Sequence, residues 1–209
     1  MTTRIEISDE LKAYYDDPQT HAAVNFVTGS SKKSWADLAV NEFKDSGHAD
    51  YKKYSDAWIY SKKVQKDYFD FMADLWQASW GQMISDHFKD LVTPTNFVDI
   101  EEVWDEGGWH RELHIKSPQP YEDLWLYCEE IQKQSHGIRF YMTLGRKGQY
   151  TLDDSQLPSK RWKLISEEGD EYFCRDCDLR FRGNAVEISD VQSVMQEAQK
   201  FLTKAAFSG

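Results

Sequence analysis

Between Tyr51 and Leu91 the chain contains no proline and a single glycine, Gly81, and this stretch constrains the fold more than any other. Glycine and proline are the two residues worst suited to a helix interior, by roughly 1 and 3 kcal/mol relative to alanine. Within it Tyr51, Tyr54 and Trp58, then Phe69, Met72, Trp76, Trp80, Met83 and His87, recur at three- and four-residue steps. On a 3.6-residue period that places them on one side and leaves Lys62, Lys63, Lys66, Asp70, Asp74 and Lys89 for solvent. A continuous helix of this length would extend roughly 60 Å at 1.5 Å per residue. The sequence therefore predicts either a break near the apolar-poor Ser61 to Lys66 or an arm that projects from the body.

Shorter helices are expected before it. Ser8 stands at an N-cap position ahead of Asp9 and Glu10, whose charges suit the positive end of a helix dipole, and the helix should run through Tyr15. Pro18 opens a second helix holding Ala22, Ala23, Phe26 and Val27, with Gly29 as its stop. Ser34 and Asp37 resemble a capping arrangement for a third, carrying Trp35, Leu38, Ala39 and Phe43 toward Gly47.

At Pro94 the pattern changes to short alternating segments. Phe97 to Trp104 and Trp109 to Lys116, joined through Asp105, Glu106 and the Gly107-Gly108 pair, read as a β-hairpin, since adjacent glycines supply the positive φ of a tight turn. In the return strand Trp109, Leu113 and Ile115 alternate with His110, Glu112, His114 and Lys116. Tyr121 to Ile131 (YEDLWLYCEEI) is read as a helix, from its acidic start behind Pro120, the spacing of Leu124, Tyr127/Cys128 and Ile131, and the stop at Gly137. Ile138 to Leu144 alternates as a strand. Trp162 to Ile165, Glu171 to Phe173 and Leu179 to Phe181 are short strands, the last two separated by a cysteine-containing turn. A closing helix follows Ser189-Asp190-Val191-Gln192, which fits a Ser-x-x-Gln capping box, with Val191, Val194, Met195, Ala198, Phe201, Leu202 and Ala205 as its stripe.

The expected fold is α+β: an N-terminal helical layer (residues 1–93) packed on a mainly antiparallel sheet with a C-terminal helix (residues 94–209), as one domain. Its 209 residues bury a sizeable core without disulfides. The three cysteines are odd in number, and no apolar run follows a basic start. A cytoplasmic protein is expected, without a membrane span. Lys and Arg total 25 against 36 Asp and Glu, a net charge of −11 that opposes a phosphate backbone, so direct nucleic-acid binding is not expected.

Three features are candidates for function. Cys174-Arg-Asp-Cys177 has the spacing of half a zinc site or of a redox pair. The remaining clustered ligands, His110 and His114, stand four apart on a strand, roughly 13 Å, too far to share one ion. No metal and no cofactor are therefore expected. The polar face His110, Glu112, His114 places imidazole beside carboxylate, the pairing used in general acid–base catalysis. This is the alternative, enzymatic reading of the 98–116 hairpin, beside a metal site at the cysteine pair. The third feature, acids interleaved with aromatics at Asp99, Glu101, Glu102, Trp104, Asp105, Glu106 and Trp109, suits the binding of a basic protein, because aromatic residues anchor interfaces and acids steer encounter. It carries the leading expectation: a non-enzymatic, acidic protein-binding module, an inhibitor or adaptor.

Overall fold

The structure, a computed structural model, describes residues 4–28, 51–87, 97–105, 108–116, 123–132, 136–145, 152, 157–167 and 169–207. The expected third helix near Trp35 to Gly47, the glycine-containing segment after Gly145 and Glu106 lie outside the described residues.

A short strand, β1 (Arg4–Glu6), leads into α1 (Asp9–Asp16). Ser8 caps it as expected, accepting the Leu11 N–H at 3.1 Å, and its own hydroxyl donates to Asp67 Oδ2 at 2.5 Å. One serine thus satisfies an orphan helix donor and ties α1 to the long helix. Asp17 repeats the device for α2 (Pro18–Thr28), accepting the N–H groups of Gln19 and Thr20 at 3.1 Å, with Pro18 at the first helical position.

The long segment is α3 (Tyr51–Trp76), a π-helical turn (Gln77–Gly81) and α4 (Gln82–His87). The expected break at Ser61 to Lys66 is absent. Ser61 and Val64 are buried there, and the Ser61 hydroxyl donates to the Ala57 carbonyl at 2.9 Å, so the one polar group on that side is satisfied within the helix. The irregularity falls instead at the π turn, where the Ser79 hydroxyl donates to the carbonyls of Leu75 at 2.7 Å and Trp76 at 3.1 Å. The wide turn shifts the buried stripe, which runs through Val64, Tyr68, Phe71, Met72, Leu75, Trp76, Trp80, Met83 and Ile84. Phe69 is only partly buried and His87 is exposed, contrary to the stripe drawn from the sequence.

Six strands form the main sheet: β2 (Phe97–Asp105), β3 (Gly108–Lys116), β4 (Asp123–Gln132), β5 (His136–Gly145), β6 (Lys163–Glu167) and β7 (Asp170–Asp178). They lie in the order β2-β3-β4-β5-β7-β6, every neighbouring pair antiparallel. A second sheet, β1-β9-β8, is formed by β8 (Arg180–Arg182) and β9 (Ala185–Glu187) with β1, Gly183 at φ 60° making the turn between them. The chain closes with α5 (Ser189–Phe207), whose Val191, Val194, Met195, Ala198 and Leu202 are buried as expected. The fold is α+β, and among the described residues no helix is long and apolar enough to cross a membrane.

Two expectations are corrected. The YEDLWLYCEEI segment is strand β4, not a helix. Leu124, Leu126, Cys128 and Glu130 are buried while Trp125, Tyr127 and Glu129 are half-buried, a two-residue alternation that its ladders to β3 and β5 hold in place. The sequence hid that period because large apolar residues occupy both faces. The cysteine pair lies in the continuous strand β7, not in a turn.

The helices cover one face of the main sheet. Trp80 packs edge-on against Phe140 at 5.7 Å and donates its indole N–H to the Tyr127 carbonyl at 3.1 Å; Phe173 meets Phe201 at 5.3 Å. Trp80, Tyr68, Phe140, Phe173 and Leu126 are each less than 2% exposed, and each such side chain contributes about 1.5–3 kcal/mol by leaving water. The charged residue sunk into this layer is Glu130, 5% exposed, which accepts a short hydrogen bond from the Tyr68 hydroxyl.

Candidate functional site

The opposite face of the main sheet is built as a grid. The ladders align Glu101, Glu112, Tyr127, Tyr141, Cys174 and Lys163 in one row across the six strands. A second row runs through Asp99, His114, Trp125 and Thr143, and a third through Val103, His110, Glu129, Arg139 and Asp176. Neighbours within a row are about 5 Å apart and rows about 7 Å apart, so aromatic side chains from adjacent strands meet. Tyr127 and Tyr141 do so edge-on at 5.1 Å, and the His114 ring lies 5.1 Å from Trp125.

Polar contacts fix the third row. Tyr141 donates its hydroxyl to Glu129 Oε1 at 2.5 Å, and Tyr127 reaches Glu129 Oε2 at 3.5 Å. Arg139 forks onto Asp176 through Nε and through Nη2, the latter at 3.0 Å, and lies 3.7 Å from Glu129. Burial, reinforced by Glu129, pushes both tyrosine phenols well above their ordinary range. They stay protonated and act as donors. The hydrogen bond to Asp176 holds the Arg139 guanidinium still more firmly charged. Between these side chains is a depression of about 210 Å³ lined by Glu112, Trp125, Tyr127, Glu129, Tyr141, Met142 and Tyr172.

The residues singled out from the sequence fall around this grid. Asp99, Glu101, Glu102, Trp104 and Asp105 are on β2, and Trp109 is on β3, where the register sets Trp104 opposite Trp109 and Glu102 opposite Arg111. Of the alternative acid–base set, Glu112 lines the depression and His114 lies against Trp125. Tyr127, Glu129, Arg139, Tyr141 and Tyr172 were not singled out. Once YEDLWLYCEEI is read as a strand, its two-residue alternation picks out Trp125, Tyr127 and Glu129 together.

The cysteines are separated by the same geometry. Cys174 pairs in register with Tyr141 and belongs to the grid row, whereas Cys177 pairs with Ile138 and is buried in the helix-covered layer. Three residues apart on a strand, roughly 10 Å, and on opposite faces, they cannot hold one ion or close a disulfide. Burial raises the Cys174 thiol and pushes Cys177 up to about 12, so neither is a ready nucleophile at neutral pH. Among the described residues no group of three or more His, Cys, Asp or Glu is placed to hold a metal ion. The described side chains of this face offer neutral phenols, carboxylates and ring surfaces.

No family model, curated protein or solved structure matches the chain.

Proposed function

We propose that this protein is a non-enzymatic binding module, an inhibitor or adaptor, that receives a basic protein partner on the grid face of its main sheet and on the adjoining β2–β3 hairpin. The observation that carries this reading is the depression lined by Trp125, Tyr127, Tyr141 and Tyr172 with Glu112 and Glu129. Half-buried aromatic side chains supply contact area at little entropic cost, and carboxylates around them attract a positive partner and reject a negative one. The net charge of −11 acts in the same direction and away from nucleic acid. The setting is taken to be cytoplasmic, in keeping with three free cysteines.

The test is affinity capture from a source lysate at low and high salt, using the wild-type chain and a variant with Asp99, Glu101, Glu102, Asp105 and Glu106 changed to Asn or Gln. A basic partner held by the wild type at low salt, and associating more slowly and with a flatter salt dependence with the variant, is expected. The fold should survive, since surface carboxylates each contribute under about 1 kcal/mol. Equal capture and equal salt dependence, with both proteins folded, would remove the hairpin from the site.

A further inference from the structure

The second sheet ends on an open edge. β1 pairs with β9 on one side, and among the described residues no strand pairs with its other side. The Ile7 N–H donates to the Asn184 carbonyl at 2.8 Å, which sets the phase of that ladder. The backbone groups of successive strand residues turn toward alternate edges, so Ile5, like Ile7, bonds toward β9, and the N–H and C=O groups of Arg4 and Glu6 point the other way. On that side is a groove of about 570 Å³, lined by Arg4, Ile5 and Glu6 and by no described residue of β9. Its opposite wall is one side of the long helical segment, where α3 passes through the π turn into α4: Asp74, Gln77, Ser85 and Asp86 are exposed there and Gln82 is half-buried. Among the described residues Glu6, Asp74 and Asp86 enter no ion pair, whereas Arg4, the one cation of the described lining, lies 3.5 Å from Glu187.

We propose that this groove receives an extended, basic peptide segment of another protein, which adds to β1 as a fourth strand of the second sheet. The site is separate from the grid face, and either reading can fail without the other. Main-chain hydrogen bonds to Arg4 and Glu6 supply affinity without regard to sequence, and alternate side chains of the added strand supply selectivity. The residue opposite Ile5 points its side chain to the same side as Ile5, which is buried in the core beneath the helices. It and the residues two positions away therefore face the wall that carries Asp74 and Asp86, where lysine or arginine fits. Charges along an edge decide what can pair with it, and acids prevail here, so a phosphate backbone or an acidic segment is repelled. A second copy of the chain would set Arg4 against Glu6 but would bring two acidic helix walls together, between molecules that each carry −11. A basic segment meets opposite charge on both counts.

The measurement is an NMR titration of the isotope-labelled full chain with the blocked peptide Ser-Lys-Thr-Lys-Thr-Lys-Ser, with the same peptide carrying Glu in place of Lys, and with the lysine peptide N-methylated at its three central residues. The lysine peptide is expected to shift the Arg4, Ile5 and Glu6 amide resonances saturably and to slow hydrogen exchange at the Arg4 and Glu6 amides. N-methylation, which removes main-chain donors and keeps every charge, should weaken binding at least about tenfold, and the Glu peptide should not bind. The double variant Asp74→Asn, Asp86→Asn should weaken the lysine peptide about tenfold. Glu6→Pro removes an N–H that faces away from β9, a position where an edge strand tolerates proline, and should bind about tenfold more weakly than Glu6→Gln. Should Glu6→Pro fail to fold, the N-methylated peptide tests the same bonds on the unaltered protein. Equal binding of the methylated and unmethylated peptides, equal binding of the Glu peptide, shifts confined to the grid face, or no binding at all would each overturn the proposal. So would shifts at Arg4 and Glu6 that follow protein concentration without peptide, since the edge would then belong to a second copy of the chain.

Discussion

Tyr127 and Cys128 are neighbours in the sequence and belong to different parts of the molecule. Cys128 is fully buried, in register with Phe140, on the face that the helices cover. Tyr127 is half-buried, in register with Tyr141, on the face that carries the depression. The covered face is largely apolar, and its polar side chains include Glu130, bonded to Tyr68, the Arg111 guanidinium held over Trp76, and Arg175, which pairs in register with Phe140 and donates to the Arg161 carbonyl at 3.3 Å. The grid face alternates rings with charges, and its polar groups bond mainly to one another across strands. The covered face is specified by the requirement to exclude water, whereas the grid face is ordered by polar contacts between its own strands.

The comparison is most easily broken by truncating one large ring on each face. Trp80→Ala should cost about 3–5 kcal/mol, the range for deleting a buried aromatic, whereas Tyr172→Ala should cost about 1 kcal/mol. Urea denaturation midpoints of the two variants check this, and equal losses would mean that the grid face is core as well. Hydroxyl deletion sharpens it. Tyr68→Phe leaves the buried Glu130 short of a donor and should cost about 1–3 kcal/mol, while Tyr141→Phe, whose Glu129 partner is accessible to water, should cost about 1 kcal/mol or less.

A smaller effect depends on pH. His21 stacks on Tyr14 at 4.4 Å, and burial, with the nearby His136, lowers its pKa below the ordinary histidine value. The unfolded chain therefore takes up the proton first. Stability from this group is complete above about pH 6.5 and is lost as pH falls from there through the lowered folded value. Thermal melts from pH 7.5 to pH 5 should show the decline, and His21→Phe should flatten it; an unchanged slope would mean that His21 is accessible and unperturbed. The smallest expected signal is chemical. With both β7 thiols buried and raised, iodoacetamide at pH 8 should leave Cys174 and Cys177 unmodified in the native protein and modify them in urea, as read by intact mass. Fast labelling of Cys174 alone would show that the floor of the grid opens.

Local chemistry made much of the fold legible in the sequence. Ser8 marks the start of α1 because a side-chain oxygen must meet an N–H without an intrahelical partner. Pro18 opens α2, the absence of helix breakers carries α3, and the two-residue alternation from Ile138 to Leu144 declares β5. Each is a preference expressed within one or two turns of chain, so the sequence suffices. The acidity and ring content of the β2–β3 segment were legible in the same way, and Glu112 was singled out there. The rest depends on register. Nothing near Tyr127 in the chain indicates that Tyr141 and Glu112 will stand beside it, because that neighbourhood exists only after β3, β4 and β5 pair. Trp125 and Tyr127 made β4 look helical for the same reason: a central strand buries apolar side chains on both faces and loses the alternation that identifies it. The sequence by itself determined the helices α1, α2, α3 and α5, the hairpin and the acidic balance, through contacts between residues a few positions apart. Only the tertiary structure decided which residues share a face, because cross-strand pairing joins positions as distant in the chain as Arg4 and Glu187, whose meeting no local preference encodes.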